Sequence, residues 1–407
     1  MTRLFVDFFL CRADNKYRRR RPKRICGWVL LMVLGLGVLL YLYTHQIYQA
    51  ELEPAPTVFS ETDDYFAAID SPTHPFCRLF RLRFPIVANS FDDMDIAFTL
   101  VVQKDVRQIA RLLRMIHRTN NYYCIHVDKH ANTSFETALR GVAKCFGTNV
   151  DLIMPGEPIV VNWDDELILL QQVVCAKQAL NQHPTWKYLI NLAGQDFPLR
   201  TNLELVAALK ALNGSNLVES LPLDKYKAWV KNTTLPLNAS WFKGSIYGAY
   251  RREFLQEAVL GTAVGPIRNV IIQPGNIMHP ERFYFPTLAY NSHLRLPGAC
   301  LNGPSPASEV GYNFLGKFVI WDGYNITCPT KVDRGVCVLG MDHVTVLQSV
   351  PHISANKFHA DFQPEAYDAM EQWYFRRVTA EISSGTYDSN SFDPNIYANL
   401  SCSRHHL

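Results

Sequence analysis

Two aspartates lie where predicted strands end, which makes them the first residues to consider for chemistry. The runs 122–127 and 188–192 have the length and apolar character of strands; Asp128 directly follows the first, and Asp196 lies in the turn after the second. In an open α/β sheet, ligands bind outside the carboxyl ends of the strands, so both carboxylates are predicted at one edge of a site. Asp196 has an equally good structural interpretation, in which it only ties down its turn.

No Asp-x-Asp motif, a common ligand set for divalent ions, follows any predicted strand. The acidic run 92–95 precedes the first predicted strand. Asp164 and Asp165 open a predicted helix, where carboxylates favour the helix dipole, so a capping role is preferred to a metal-ligand role. If the site binds a diphosphate without a metal, arginine or lysine side chains must supply the positive charge. Arg334 and Lys357 are candidates for this role, although their spacing in the sequence would not by itself have identified them.

Strands and helices alternate along the chain from residue 95 onward. Strand patterns cover 96–102, 122–127, 150–154 and 188–192, and helical patterns cover 109–116, 133–146, 167–180 and 201–212. This order predicts an α/β fold whose mostly parallel, Rossmann-like sheet is covered on both faces. Thr133 with Glu136, and Thr201 with Glu204, are predicted capping boxes. The glycine motifs of dinucleotide oxidoreductases and of P-loop enzymes do not occur in the chain.

Composition divides the chain into four parts. Residues 1–24 are a basic tail, 25–43 an apolar run, 44–92 a stem with prolines and acidic residues, and 93–407 the folded domain. The tail carries a net charge of +7 and the whole chain +3, so the remainder sums to −4. Because the basic residues are concentrated in the tail, no nucleic-acid-binding surface is predicted on the domain.

The apolar run is predicted to be a transmembrane signal anchor. Its nineteen residues carry no charge and are long enough to cross a bilayer as one helix. The arginines and lysines just before it keep that side cytosolic, which predicts a single-pass type II topology. The alternative, a cleaved signal peptide, requires a shorter apolar core and a small-x-small cleavage site, and the sequence from Tyr41 to Gln46 does not provide one.

Glycosylation motifs and cysteines fit a domain on the lumenal side. Six Asn-x-Ser/Thr motifs begin at Asn132, Asn213, Asn232, Asn238, Asn325 and Asn399. Eight of the ten cysteines lie beyond the apolar run, and an even number in an oxidising compartment predicts disulfides. Buried free thiols are the alternative.

Six segments between residues 95 and 362 carry a resemblance to a known family: YYCIHVDKH, WKYLINLAGQDFPLRTNLELV, GSIYGAYRREF, HPERFYFPTLAYNS, DRGVCVLG and SANKFHADF. In this order they are similar to the β-1,6-N-acetylglucosaminyltransferases of glycosyltransferase family 14, which include the core 2 and I-branching enzymes. The resemblance implies a GT-A-like fold in a single large lumenal domain. It also implies an inverting reaction that requires no metal or other cofactor.

The resemblance assigns roles by position to residues of a catalytic and donor site. Glu281, in HPERF, matches the catalytic base, a carboxylate that takes the proton of the acceptor hydroxyl. Arg334 and Lys357 match two cations that bind the diphosphate in place of a metal. Asp128 and Val101 match residues that hold the uridine. From sequence alone, a carboxylate at a helix start and surface ion pairs are the alternatives for the base and the cations.

Three further residues match positions that contact the acceptor sugar, namely Glu219, Lys225 and Trp321, although Trp321 is equally compatible with the core. The sequence departs from the family pattern nearby, because the arginine expected after Lys225 is Ala228. With this arginine absent, the three matches leave the identity of the acceptor open.

Two other departures concern the donor side and a cysteine. The family's uridine-contacting tyrosine falls near Val161 or Asn162, and its cysteine before Gly-x-Asp-Phe-Pro is Ala193. By the family pattern the disulfides are Cys77–Cys145, Cys124–Cys175 and Cys328–Cys337, which leaves Cys300–Cys402 as the remaining pair.

Together with the topology, the resemblance implies a Golgi membrane enzyme. It would transfer N-acetylglucosamine from UDP-GlcNAc to the 6-hydroxyl of a galactose- or N-acetylgalactosamine-containing O-glycan, above all the core 1 disaccharide on glycoproteins. Its partners would be the donor, the acceptor glycan and the membrane, and we leave a homodimer open. The alternatives are a protein O-xylosyltransferase and, from another class, a catalytically idle glycan-binding Golgi protein.

Overall fold

The structure, a computed structural model, describes residues 33, 35–41, 62–83, 94–155, 168–273, 275–323, 326–359 and 361–407. The chain divides into two units, Met1–Ser60 and Glu61–Leu407. In the first unit the described residues, Val33 and 35–41, are helical. The predicted tail and most of the predicted anchor lie outside the described residues. Within the described ranges, no helix combines the length and the apolar character needed to cross a bilayer.

The second unit is built on a five-stranded sheet in the order β3-β2-β1-β4-β6. The strands, including those of two small two-stranded sheets, are β1 Ile96–Val102, β2 Tyr122–Val127, β3 Val150–Ile153, β4 Tyr188–Ala193, β5 Phe197–Pro198, β6 Ala249–Arg251, β7 Lys331–Asp333, β8 Val336–Val338 and β9 Ser354–Ala355. Strands β1 to β4 are parallel, and β6 runs antiparallel to β4. The predicted α/β class with a mostly parallel sheet is therefore confirmed.

Helices cover both faces of this sheet. The α-helices are α1 Asp63–Ala67, α2 Pro75–Arg83, α3 Val106–Ile116, α4 Thr133–Phe146, α5 Ile168–Gln182, α6 Asn202–Ala211, α7 Arg252–Leu255, α8 Gly265–Ile272, α9 Tyr284–Tyr290, α10 Val344–Ser349, α11 Pro364–Ser384, α12 Asn395–Ala398 and α13 Ser401–Arg404. A π-helical turn, Gln256–Leu260, continues α7, and an eight-residue 3-10 helix covers Leu223–Val230.

Side chains of β1 alternate between two cores because successive residues of a strand point to opposite faces. Phe98 and Leu100 pack with α3 and α4 in one core, whereas Ala97 packs with α5 and α9 in the other. A third core lies between β5, β8, β9 and α11. This third core supports the segments that complete the candidate site.

Residues 62–83, within the predicted stem, pack against the sheet domain. Phe66 is fully buried, and the carbonyl oxygen of Phe66 lies against Gly141 of α4, where a Cβ atom would approach it to 1.9 Å. A disulfide joins Cys77 of α2 to Cys145 of α4. The stem prediction missed this packing because the two helices are too short to display a helical period. The domain thus begins before the predicted boundary at residue 93.

The structure forms one of the two predicted capping boxes. Thr201 and Glu204 exchange the expected side-chain and backbone hydrogen bonds at the start of α6. At α4, however, Asn132 is the cap: its backbone is extended and its side chain accepts a hydrogen bond from Phe135 N. The Thr133 prediction was wrong because an asparagine one residue earlier already satisfies the same orphan donors.

All eight cysteines beyond the predicted anchor are paired. The disulfides are Cys77–Cys145, Cys124–Cys175, Cys300–Cys402 and Cys328–Cys337, which confirms the three pairs that the resemblance implies and the pair that remained, Cys300–Cys402. Cys328–Cys337 joins the segment just before β7 to β8 of the hairpin, and Cys124–Cys175 joins β2 to α5. Both disulfides therefore brace elements that border the candidate site.

Candidate active site

The carboxyl ends of the parallel strands open into a cleft of about 720 Å³. It is bordered by the ends of β1, β2 and β4, by the β7–β8 hairpin and by the segment after β9. The four residues predicted for the donor all line it: Val101, Asp128, Arg334 and Lys357. A cleft of this size is sufficient for a small-molecule ligand. The parallel topology and the hairpin together create the site.

Asp128 lines the cleft directly after β2 and is half-buried. Its carboxylate accepts hydrogen bonds from the backbone N and Nδ1 of His130, at 2.9 and 2.8 Å, and from Gln171 Nε2 at 3.1 Å. Burial alone would raise the pKa of Asp128, but these hydrogen bonds outweigh it and hold the pKa below its usual value. Asp128 is therefore a carboxylate at neutral pH and can accept hydrogen bonds from a ligand.

Lys357 supplies a buried cation to the lining of the cleft. Its Nζ lies 2.5 Å from Asp333 Oδ2 and donates to the Asp333 carbonyl oxygen at 2.7 Å. His359 Nε2 lies 3.3 Å from the same carboxylate oxygen. The hydrogen bond from Lys357 lowers the pKa of Asp333, and burial together with the nearby Lys104 and Lys357 lowers the pKa of His359. The protein thus orients this cation before any ligand binds.

Arg334 forms the tip of the β7–β8 hairpin. Arg334 and Gly335 have φ values of 50° and 72°, as expected for the two central residues of a tight type I′ turn. Within the described part of the chain, the Arg334 guanidinium makes no hydrogen bond or ion pair, and the residue is exposed. A second cation therefore faces the cleft with its hydrogen-bond donors available.

Asp196 has the structural role that sequence spacing left as an alternative. It is fully buried, forms an ion pair with Lys317, and accepts hydrogen bonds from Asn356 Nδ2 at 2.7 Å and from Ala193 N at 2.8 Å. With these partners its carboxylate has no access to the cleft. Its neighbours Ala193 to Gln195 line the cleft instead.

Glu281 lies in a second cluster of functional candidates. It belongs to the 3-10 helix Pro280–Arg282, entered through His279 in the left-handed region, and is only 7 % exposed. Its Oε1 lies 3.3 Å from His279 Nδ1 and 4.0 Å from Arg282 Nε. The Arg282 guanidinium in turn lies over the ring of Trp321, 5.1 Å from its centroid. Glu281 therefore has a defined orientation, and Arg282 links it to the ring of Trp321.

The β7–β8 hairpin connects the two clusters. Trp321 pairs with Val336 in an antiparallel bridge, and Asp322 N donates to Gly335 O at 2.9 Å. Because Gly335 follows Arg334, the backbone that presents Trp321 is bonded to the turn that presents the cleft cation. An acceptor bound beside Trp321 would therefore lie next to the ligand in the cleft.

The predicted acceptor residues are placed unequally. Glu219 is buried, accepts a hydrogen bond from Gly311 N at 2.6 Å, and has its pKa raised by burial. Its carbonyl oxygen packs against Gly244, whose backbone N donates to the Arg282 carbonyl oxygen at 2.8 Å, so Glu219 lies next to the loop that carries Glu281. Lys225, in contrast, is an exposed residue of the 3-10 helix Leu223–Val230. The structure brings Glu219 and Trp321 to the cluster and leaves Lys225 at the surface.

Comparison with known proteins identifies the family. A family profile described as Core-2/I-Branching enzyme matches residues 96–348. This range contains the whole parallel sheet, the cleft cation Arg334, Glu281 and Trp321. The chain belongs to the Core-2/I-Branching enzyme family.

Individual relatives cover most of the chain. A mouse β-1,3-galactosyl-O-glycosyl-glycoprotein β-1,6-N-acetylglucosaminyltransferase 4 is 29% identical over 74% of this chain and 70% of its own length. The human β-1,3-galactosyl-O-glycosyl-glycoprotein β-1,6-N-acetylglucosaminyltransferase is 26% identical over 81% of this chain and 82% of its own length. A mouse N-acetyllactosaminide β-1,6-N-acetylglucosaminyl-transferase is 29% identical over 69% of this chain and 72% of its own length.

Sequence reasoning missed several residues of this Core-2/I-Branching family member. His359 and Gln195 line the cleft, and Arg282 joins Glu281 to Trp321. All three lie inside the six family-like segments, so a closer look at polar residues in those segments could have found them. Lys243, a buried lysine near Glu219, lies just before such a segment and had no sequence signal.

Some predictions fall outside the described residues of this family member. They are Asp164, Asp165, the Val161/Asn162 position and the glycosylation site Asn325. The other five glycosylation asparagines are exposed, and Asn132 also lines the cleft. In the described ranges, no group of three or more His, Cys, Asp or Glu residues could hold a metal ion.

Proposed function

We propose that this protein is an inverting β-1,6-N-acetylglucosaminyltransferase that uses UDP-GlcNAc and acts on the 6-hydroxyl of a Gal/GalNAc-containing O-glycan. The observation that carries the proposal is one cleft lined by Asp128, Arg334 and Lys357. The hairpin that carries Arg334 is hydrogen-bonded to the segment of Trp321, and Arg282 links Trp321 to the buried Glu281. Membership in the Core-2/I-Branching family supports the same reaction. The β-1,3-galactosyl-O-glycosyl acceptor named for its relatives is the acceptor we propose here.

The donor would bind along the carboxyl ends of the strands. Asp128 accepts hydrogen bonds from the uridine, and Val101 borders the base. Arg334 and Lys357 bind the diphosphate through charge-assisted hydrogen bonds and neutralise the charge that develops when UDP leaves. In this proposal the two cations perform the task that a divalent ion performs in other transferases.

The chemical step is a single displacement at the anomeric carbon. Glu281 takes the proton of the acceptor 6-hydroxyl while its oxygen attacks the carbon from the face opposite to UDP. The bond from that carbon to the diphosphate oxygen breaks, the electron pair leaves with UDP, and the configuration inverts. The contact between Glu281 and His279, at 3.3 Å, holds the carboxylate in one orientation for this proton transfer.

The cellular location is part of the same proposal. The apolar run over 25–43 after a basic tail supports a signal anchor, and four disulfides in the second unit support a lumenal domain. A single-pass type II Golgi membrane protein fits these features and the substrates.

A transfer assay with two donors and two acceptors tests the proposal. We would incubate the full-length protein in detergent with UDP-GlcNAc or UDP-xylose, the core 1 disaccharide or a serine peptide, and EDTA throughout. We expect transfer of N-acetylglucosamine to the disaccharide. Xylose transfer to the peptide would instead identify a protein O-xylosyltransferase. Activity that requires added manganese would contradict the roles of Arg334 and Lys357 and redirect attention to Asp164 and Asp165.

Replacing the proposed base separates catalysis from binding. Glu281→Gln keeps the size of the side chain but cannot accept the proton, so transfer should fall by at least about a hundredfold while UDP affinity is unchanged. Glu365→Gln, at an exposed position of α11, is the matched control. Full transfer activity in Glu281→Gln would refute the base assignment. Absence of transfer and of UDP-GlcNAc hydrolysis in the unsubstituted protein would favour the catalytically idle alternative.

A further inference from the structure

Lys243 is a buried lysine whose ammonium group has no salt-bridge or hydrogen-bond partner in the described part of the chain. The residue is 5 % exposed, and its Nζ lies over the ring of Tyr226, 4.6 Å from the centroid. Lysines are rarely buried without a partner, because removing the ammonium group from water is costly. A cation in this state beside a proposed site is a candidate for ligand recognition.

Glu219 and Arg282 are the charged groups that act on Lys243. Burial lowers the pKa of Lys243 to about 8, an effect that Glu219 opposes and Arg282 reinforces. Lys243 is thus mainly protonated at neutral pH. Glu219 and Lys243 attract each other but are farther apart than the 4.0 Å of a salt bridge. A hydrogen-bond donor and an acceptor therefore interact electrostatically here without forming a direct salt bridge.

Backbone hydrogen bonds fix Lys243 between the segment of Glu219 and the loop that carries Glu281. The Lys243 carbonyl accepts a hydrogen bond from Leu221 N at 2.6 Å, and Gly244 N donates to the Arg282 carbonyl at 2.8 Å. A Cβ atom at Gly244 would come within 1.9 Å of the Glu219 carbonyl oxygen, so this segment lies directly on Glu219. Lys243 is therefore held between a predicted acceptor residue and the loop of the proposed base.

Lys243 also reaches the helix from which the family's arginine is missing. Tyr226, under the Lys243 ammonium group, belongs to the 3-10 helix Leu223–Val230, which also carries Ala228. This 3-10 helix contacts the loop that carries the proposed base, Glu281. Met278 N donates to Trp229 O at 2.8 Å, and the Trp229 and His279 rings lie 5.1 Å apart.

We propose that Lys243 is an acceptor-binding residue: its Nζ donates a hydrogen bond to an oxygen of the acceptor sugar while Glu219 accepts one from a hydroxyl of the same sugar. Lys243 then supplies, from a neighbouring segment, the positive charge that the family's arginine would provide at position 228. A hydrogen-bond donor at Lys243 together with an acceptor at Glu219 fits a neutral, hydroxylated sugar. This inference rests on the proposed transferase function, whose acceptor it describes more closely.

Acceptor kinetics of a Lys243→Met variant test the inference. Loss of a charge-assisted hydrogen bond should raise the KM for the core 1 disaccharide by about tenfold or more, with UDP affinity and acceptor-independent UDP-GlcNAc hydrolysis unchanged. Lys227→Met is the matched control, because Lys227 lies on the neighbouring helix but is exposed and pairs with Asp224 at 2.9 Å. Adding Ala228→Arg to Lys243→Met should restore a large part of the lost acceptor affinity.

The outcomes separate the two proposals. An unchanged acceptor KM in Lys243→Met, with normal transfer by the unsubstituted protein, would overturn the role of Lys243 alone. A protein that binds UDP but transfers to no disaccharide would overturn the proposed function and this inference with it. Preference for a disaccharide that carries a carboxylate, lost in Lys243→Met, would overturn the assignment of a neutral sugar.

Discussion

At the scale of single residues, the two proposed diphosphate cations differ in how they are held. Lys357 is nearly buried and is fixed by Asp333, whereas Arg334 is exposed at a hairpin tip. Lys357 is thus oriented in advance, and a diphosphate would share it with the Asp333 carboxylate. Substitution of Lys357 would disturb the hairpin as well as the ligand, so Arg334 gives the cleaner test.

Arg334→Ala should weaken UDP binding in the presence of EDTA. Removing a charge-assisted contact of about 1.5–3 kcal/mol corresponds to a loss of roughly tenfold to a hundredfold in affinity. Calorimetric titration with UDP measures the change. Lys331→Ala is the control, since Lys331 lies on the same hairpin but stacks on Phe362 away from the cleft lining. Equal affinities of Arg334→Ala and the unsubstituted protein would remove Arg334 from the donor site.

At the scale of elements, the packing of α1 on α4 depends on a glycine. Gly141 has ordinary helical backbone, but a Cβ atom there would lie 1.9 Å from the Phe66 carbonyl oxygen and 3.3 Å from Ile69 Cβ. The close approach lets the residues before the predicted domain boundary join the first core. A helix with alanine at this position could not bring the two backbones so near.

Gly141→Ala should destabilise the protein although alanine is the better helix former. Alanine gains about 1 kcal/mol in helix propensity, but the clash with a fully buried backbone forces α1 away and costs about 1–3 kcal/mol in overpacking plus lost burial of Phe66. Urea unfolding measures the net loss. Arg140→Ala, on the exposed side of α4, should be neutral. A more stable Gly141→Ala protein would show that α1 does not need this contact.

At the scale of the whole molecule, buried histidines make stability depend on pH. Burial lowers the pKa of His117 and of His352 to about 4, although each ring also makes a hydrogen bond. In the unfolded chain these pKa values return to about 6.5, so the unfolded state binds more protons between pH 4 and 6.5. Their contribution to stability is complete above that range and is lost as pH falls through it. Glu381 acts in the opposite direction, because burial raises its pKa to about 7.

His352→Gln should flatten the acid side of the stability profile. Each histidine accounts for about 2 kcal/mol of lost stability between pH 7 and pH 5, and glutamine removes one of these contributions. Urea unfolding of the variant and of the unsubstituted protein at both pH values isolates the effect from that of Glu381. His405→Gln, at an exposed position, serves as control. An unchanged difference between the two pH values would mean that His352 does not titrate on unfolding.

Local patterns predicted the elements well wherever the information lies within a few residues. The capping box at Thr201 depends on contacts three residues apart, and the strands β1, β2 and β4 on apolar runs. Asp128 was predicted at the sheet edge because parallel strands end at a common side. The same reasoning could not assign Asp196, whose partners Lys317 and Asn356 lie 121 and 160 residues away.

The sequence by itself determined the alternation of strands and helices, the mostly parallel sheet and the edge at which Asp128 lies, since periodicity and chain direction are local properties. Only the tertiary structure decided that Arg334 completes the cleft, that Arg282 links Glu281 to Trp321, and that the segment of the buried Lys243 packs on Glu219. These residues come from segments far apart in the chain. Their proximity depends on how the hairpin and the helices pack on the third and second cores, and no local pattern records that packing.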